Sequence, residues 1–180
     1  EVTGLDGSVE IIRDQDGIPF IRADSEHDLY FAQGFVHAQD RFWQMALSRQ
    51  SMEGRLAEWL GGMGLLSDRV ARMYGWSHLA QNSFDALASE DREPLESYAA
   101  GVNAWLESPA FRRPPEMVIL HIQPERWEAS DAYLVIYQMH RMMSSSGLEG
   151  LRALFGNTDS PSSAIEMFDQ NGLMAPPIIA

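Results

Sequence analysis

Five histidines, at positions 27, 37, 78, 121 and 140, are the residues of this chain best suited to moving protons or holding a metal. None has a second histidine or a cysteine at ligand spacing, and no H-E-x-x-H occurs. There is no G-x-S-x-G elbow to present a serine and no P-loop to cradle a phosphate. The chain's own catalytic chemistry therefore reads as incomplete. His37, in a strongly apolar run, reads as a satisfied core histidine.

Three other groups carry chemistry of a different kind. Asp40 and Arg41 stand side by side inside "GFVHAQDRFWQMALSRQSMEGRLAEWLG", residues 34–61. Burying either charge alone would cost several kcal/mol, so each needs partners. We read them as a structural ion pair where helices cross, sharing a network with Arg55 and Glu58; the competing reading is a substrate-binding or catalytic pair. Met139, Met142 and Met143 cluster beside the Ser-rich break "SSSG". Thioether side chains adapt to irregular apolar shapes, which fits gap-filling in a core or a pliable ligand pocket. Glu149 follows the break and offers an oxygen ligand for calcium.

The elements that must position these groups follow from pattern. "SVEIIRDQDGIPFIRA" predicts a β-hairpin over about 8–23, with Asp16-Gly17 as the turn pair. Ser25 with Asp28 resembles a capping box that opens a long helix. Leu29, Ala32, Val36, Trp43 and Leu47 form one apolar stripe of that helix. Phe31, Phe35, Phe42 and Met45 form a second, so it is packed on both sides. Gly54 ends it. A short helix up to Gly61-Gly62 follows, then one from about 67 to 87. Ser89 is the expected N-cap of a helix over "EDREPLESYAAGVNAWLES", with Pro94 early enough to be tolerated. Met117 to Ile122 reads as part of an extended crossing segment. Ser130 is expected to cap "DAYLVIYQMHRMM". The helical part runs over about 25–156, and 157–180 is a tail with one short helix near 164–168. The fold class is mostly α with a short N-terminal hairpin, in a single domain over 1–180 that is not complete on its own, since a lone hairpin is marginal.

Composition bounds the partners. The 180 residues carry 26 acids against 13 bases, a formal charge of −13, and every base is arginine. That disfavours nucleic acid and an anionic membrane surface. There is no cysteine, which removes disulfides and thiolate chemistry, and no apolar run reaches the roughly 20 residues of a membrane span. The chain starts at Glu1 without a Met and ends in apolar "NGLMAPPIIA". Both ends are expected to be cuts, a removed leader in front and proteolytic maturation behind.

Four stretches, in order, resemble the α chain of the penicillin acylase family. Residues 9–21, "VEIIRDQDGIPFI", are similar to its R-D-x-x-G-x-P-x-I opening. Residues 34–61 are similar to its G-x-V-x-A-Q-D-R-x-x-Q-M segment followed by G-R-L-A-E. "YAAGVNAWLE", 98–107, matches Y-A-x-G-x-N-A-W, and "PERWEASD", 124–131, matches P-x-x-W-x-x-x-D. No resemblance extends beyond Asn157. Phe20 departs from the pattern, where a His is common.

The resemblance implies an N-terminal-nucleophile hydrolase of four-layer αββα fold, completed by a β chain cut from the same exported precursor. The nucleophile, usually Ser, would begin that β chain, with its own α-amino group as base. A backbone group and an Asn would supply the oxyanion hole. The reaction would be hydrolysis of an N-acyl amide in the periplasm or outside the cell. By alignment, Met139, His140, Met142, Met143 and Ser144 would form the acyl-pocket wall. Met142 and Met143 stand where penicillin G acylases carry Arg and Phe. That departure fits a flexible aliphatic chain, as in the family's acyl-homoserine-lactone acylases, alongside β-lactam substrates. Glu149 aligns with a calcium ligand, so a structural calcium is the one metal implied and no cofactor is required. A helical interaction module without enzymatic role is the alternative.

Overall fold

The computed structural model describes residues 2–144. Two strands, β1 (Glu10–Arg13) and β2 (Pro19–Arg22), precede seven helices. These are α1 (Glu26–Glu53), α2 (Ala57–Leu60), α3 (Leu65–Tyr74), α4 (Trp76–Asp85), α5 (Ser89–Glu107), α6 (Pro115–Ile119) and α7 (Asp131–Met143), with a 3₁₀ turn at Gly61–Gly64. By its contacts the chain divides between Tyr137 and Gln138. The break "SSSG" beyond Ser144, the segment to 156, the tail and Glu149 lie outside the described residues.

The hairpin is antiparallel, with Ile11 opposite Ile21 and Ile12 opposite Phe20. Its turn differs from the expected two-residue Asp-Gly form. Among the described residues the only non-glycine with positive φ is His121, so Asp16 does not take the left-handed conformation that form requires. Asp14 and Ile18 close the loop instead, by a bond from the Asp14 N–H to the Ile18 carbonyl (3.2 Å), and Gly17 alone is left-handed, at φ +79°. The Asp14 carboxylate accepts the N–H groups of Asp16 and Ile18 at 3.0 and 2.8 Å. Ile11, Ile12, Ile18 and Phe20 all remain exposed.

Helix α1 begins as expected. The Ser25 hydroxyl accepts the Asp28 N–H at 3.1 Å, and Gly54 ends the helix in the left-handed conformation at φ +71°. It bends midway, where Arg41 leaves helical geometry at φ −141°, ψ 23°. Phe31, Ala32, Val36, Phe42 and Ala46 are buried along its length.

Three expectations give way to local chemistry. The predicted helix from 67 to 87 is two helices, because Gly75 at φ +70° ends α3 by donating its N–H to the Ala71 carbonyl. Ser89 is the first residue of α5, and Ala88 holds the cap position without a side-chain bond. The stretch read as extended contains α6, started by Pro115, whose fixed φ suits a first helical position. Beyond α6, His121 takes a left-handed turn at φ +57°, a conformation in which His is enriched, and Ile122 returns to the core.

The core forms where α5 lies against α1. A Cβ placed on Gly34 would sit 2.1 Å from the Tyr98 carbonyl oxygen, and one on Gly101 would sit 1.8 Å from that of Phe31. The two backbones touch at these points, which only glycine permits. Ala38, Phe42, Ala46, Ala99, Val102, Met117, Ile122 and Trp127 make one buried cluster there. Met52, Ala80 and Leu134 make a second, flanked by Trp76, Tyr133 and Tyr137. Gly101→Ala is expected to destabilise the chain by at least about 2 kcal/mol, since backbone must move to admit the methyl group. A urea-unfolding midpoint equal to wild type would contradict this contact.

Candidate functional site

The expected four-residue charge network is two separate clusters. Asp40 does not pair with Arg41. Both lie on the exposed side of α1, and Asp40 faces the hairpin instead, where the Arg13 guanidinium donates to both its carboxylate oxygens at 2.8 and 3.0 Å. Arg13 also donates to Gln39 Oε1 (2.8 Å) and the Gly17 carbonyl (3.0 Å). Arg41 donates to Gln44 Oε1 at 3.1 Å. Arg41 leaves helical geometry directly after Asp40, and the two adjacent charges take different partners.

Arg55 and Glu58 do meet, and a larger cluster surrounds them. Arg55 donates to Glu58 (2.9 and 3.0 Å), Glu53 (3.0 Å) and Glu125 (3.0 and 3.2 Å). These contacts raise the Arg55 pKa, chiefly through Glu125, and hold the Glu58 and Glu125 carboxyls below their usual range. Behind them lies Arg49, 3% exposed. It donates to the Arg126 carbonyl at 2.6 Å, to Asp131 at 3.1 Å and to Glu125 at 3.3 Å, with its guanidinium over the Trp127 ring. Burial pushes the Asp131 and Glu53 carboxyls up, against the pull of Arg49.

Buried polar side chains elsewhere hold backbone. Asn103 donates to the Trp127 carbonyl and accepts its N–H, both at 2.8 Å. Asp68 accepts the N–H groups of Leu56 and Ala57 at 2.7 and 2.8 Å, fixing the start of α2. Asp28, 1% exposed, accepts those of Asp6 and Gly7 at 2.8 and 2.9 Å and so fastens the N-terminal segment to α1. The Asp6 N–H is the main cause of its lowered pKa. Asp6, His27 and Asp28 bring ligand-type atoms within 4.8 Å of one another. The Asp28 oxygens are already engaged by backbone N–H groups, which accounts for the grouping without an ion.

His37 is not a core residue. Its ring lies on the surface of α1 with Nδ1 3.0 Å from the Tyr98 hydroxyl. Burial lowers the His37 pKa and pushes that of Tyr98 up to about 12, so both are neutral at pH 7. At the end of α7, Met139, Met142 and Met143 are 50, 77 and 79% exposed, as are His140 and Ser144 more generally. The Ser144 N–H donates to the His140 carbonyl and its hydroxyl to that of Arg141. Among the described residues these three neighbouring Met have little cover.

Arg13, Arg49, Asn103 and Asp131 went unselected in the sequence, although three of them were visible there. Arg13 is the Arg of R-D-x-x-G-x-P, Asn103 the Asn of Y-A-x-G-x-N-A-W, and Asp131 the Asp of P-x-x-W-x-x-x-D. The four segments are thus wired to one another, the first to the second by Arg13–Asp40 and the second to the fourth by Arg49–Asp131. Gly34 and Gly101 join the second to the third, and Asn103 joins the third to the fourth.

The described residues form a hairpin and a helical layer whose buried polar side chains hold backbone and one another. Comparison with known proteins gives this arrangement a family. Residues 8–169 match the family model described as penicillin amidase, and the chain belongs to that family. It is 38% identical over 172 residues to a penicillin acylase 2 proenzyme from a Pseudomonas species, covering 95% of this chain and 22% of that protein. It is 34% identical over 151 residues to the acyl-homoserine lactone acylase QuiP of Pseudomonas fluorescens, covering 84% of this chain and 19% of that protein. Among solved structures, a thermostable penicillin G acylase from Alcaligenes faecalis superposes with a TM-score of 0.70 at 28% identity, over 96% of this chain and 95% of that one. The chain spans about a fifth of the length of the curated relatives it matches. No described helix is long and apolar enough to cross a membrane.

Two outcomes follow from the polar clusters. Arg49→Met strands a buried carboxylate and is expected to cost about 3–5 kcal/mol, most of it recovered in Arg49→Met with Asp131→Leu. Equal urea midpoints for the single and double variants would contradict the pairing. Asp28 has a lowered folded-state pKa, so its stabilisation is present above the ordinary carboxylate value of about pH 4 and is lost as pH falls. Glu53 and Asp131 have raised values, so theirs runs the other way and fades as pH rises. Asp28→Asn is therefore expected to flatten the acid limb of the stability–pH curve, and an unchanged limb would contradict the Asp28 role.

Proposed function

We propose that this chain is the α subunit of a two-chain N-acyl amide hydrolase cut from one exported precursor. The observation that carries the reading is a contrast of lengths. The chain matches 95% of one solved penicillin G acylase chain but 22% of a penicillin acylase proenzyme, as a subunit released from a longer precursor would. The nucleophile and its base belong to the β chain, which begins with Ser, and the β chain completes the four-layer fold around the hairpin.

The acyl pocket receives its wall from the end of α7, Met139, His140, Met142, Met143 and Ser144. Three exposed Met side chains in one place fit a flexible apolar acyl group, because thioethers repack around varied shapes at little cost. The substrates are N-acyl-homoserine lactones of long chain and β-lactams with apolar side chains, each hydrolysed through an acyl-enzyme. Glu149 serves a structural calcium shared with the β chain, and the enzyme works in the periplasm or outside the cell.

The test is hydrolysis by the purified enzyme that contains this chain. Homoserine lactone release from acyl chains of rising length, and release of the free β-lactam nucleus, are both expected above background. Turnover of neither class would overturn the reading.

A further inference from the structure

The hairpin has few means of keeping its place. Both strands are four residues long, β1 is exposed at every position, and Ile11, Ile12, Ile18 and Phe20 are each at least 39% exposed. Apolar packing therefore does little to aim it. Pro19 and Ile21 of β2 are half-buried, and Asp28 holds the segment that leads into β1; at the turn end of the hairpin the tie to the helical layer is one guanidinium. Arg13, the last residue of β1, spans the turn carbonyl of Gly17, Gln39 Oε1 and both oxygens of Asp40 in four bonds of 2.8–3.0 Å. The fork-to-carboxylate geometry is directional, so it fixes angle as well as distance. The anchor lies at the bend of α1, where Arg41 leaves helical geometry directly after Asp40.

We infer that the Arg13–Asp40 fork is a positioning device that aims the unpaired hairpin, so that a second chain can add its strands to the exposed edges. This rests on the two-chain reading above. Both side chains are only about one-third exposed, so the pair is partly shielded from solvent yet remains within reach of substitution without opening the core. Arg13 and Asp40 touch no substrate; they act through the hairpin. A lysine at position 13 would keep the charge but lose the fork, because an ammonium is a point donor without fixed directions.

The experiment uses the full precursor and follows the first-order rate at which it becomes two chains. Arg13→Gln and Asp40→Asn are each expected to slow that step by about tenfold or more, the factor that separates a directional charged pair from none. Arg13→Lys is expected to fall between them and wild type. The exchanged pair, Arg13→Asp with Asp40→Arg, is expected to recover most of the rate. The urea midpoint of the mature enzyme should change little in all four, which separates aiming from general destabilisation. Single variants that mature at the wild-type rate, or an exchanged pair as slow as the singles, would overturn the inference. So would a loss of rate that only tracks a loss of stability. A wild-type precursor that never yields a second chain would instead sink the two-chain reading itself.

Discussion

Everything in the helical layer depends on how closely α1 and α5 approach. At Gly34 and Gly101 there is no room for a methyl group between the two backbones. That contact sets Val102 and Ala99 against Ala38 and Phe42, and it fixes where Asn103 points. Asn103 then holds Trp127 by both its backbone polar groups. Trp127 lies under Arg49, and Arg49 reaches Asp131, the first residue of α7. One steric constraint is thus passed through a buried tryptophan and a buried arginine to Asp131, where α7 begins.

Most of the buried polar residues among those described serve that task. Asp28, Asp68 and Asn103 satisfy backbone groups that would otherwise be orphaned by irregular turns. Arg49 and Arg55 each hold several acceptors from segments far apart in sequence. Groups so fully bonded are poor candidates for moving protons, because each proton they carry is already committed to a partner. Shifted pKa values here mark structure: Glu58 and Glu125 are lowered by Arg55, and Asp131 is raised by burial. A family of amide hydrolases is compatible with such a chain when the reacting groups come from elsewhere.

Much of the fold was legible because its signals are local. The Ser25 cap and the Gly54 stop bound α1 as the sequence implied, and the hairpin stands where its alternation placed it. The misread elements turn on single residues whose effect is conformational. Gly75 splits a helix, Gly17 closes a loop one residue longer than expected, and Pro115 starts a helix in a stretch that looked extended. The charge clusters were less legible, since adjacency along the chain says little about adjacency in space. Asp40 and Arg41 are sequence neighbours on diverging directions, whereas Arg49 and Asp131 are 82 residues apart and bonded. The family motifs contained the answer as residue types, but pairing them required the packing.

The proposed function makes this chain the catalytically silent half of a processed enzyme. Intact-mass analysis with N-terminal sequencing of the native protein tests it most directly. The account predicts a second chain of several hundred residues that begins with Ser, present in equal amount with this one. A single species of about 20 kDa, stable and monomeric without any companion chain, would contradict it.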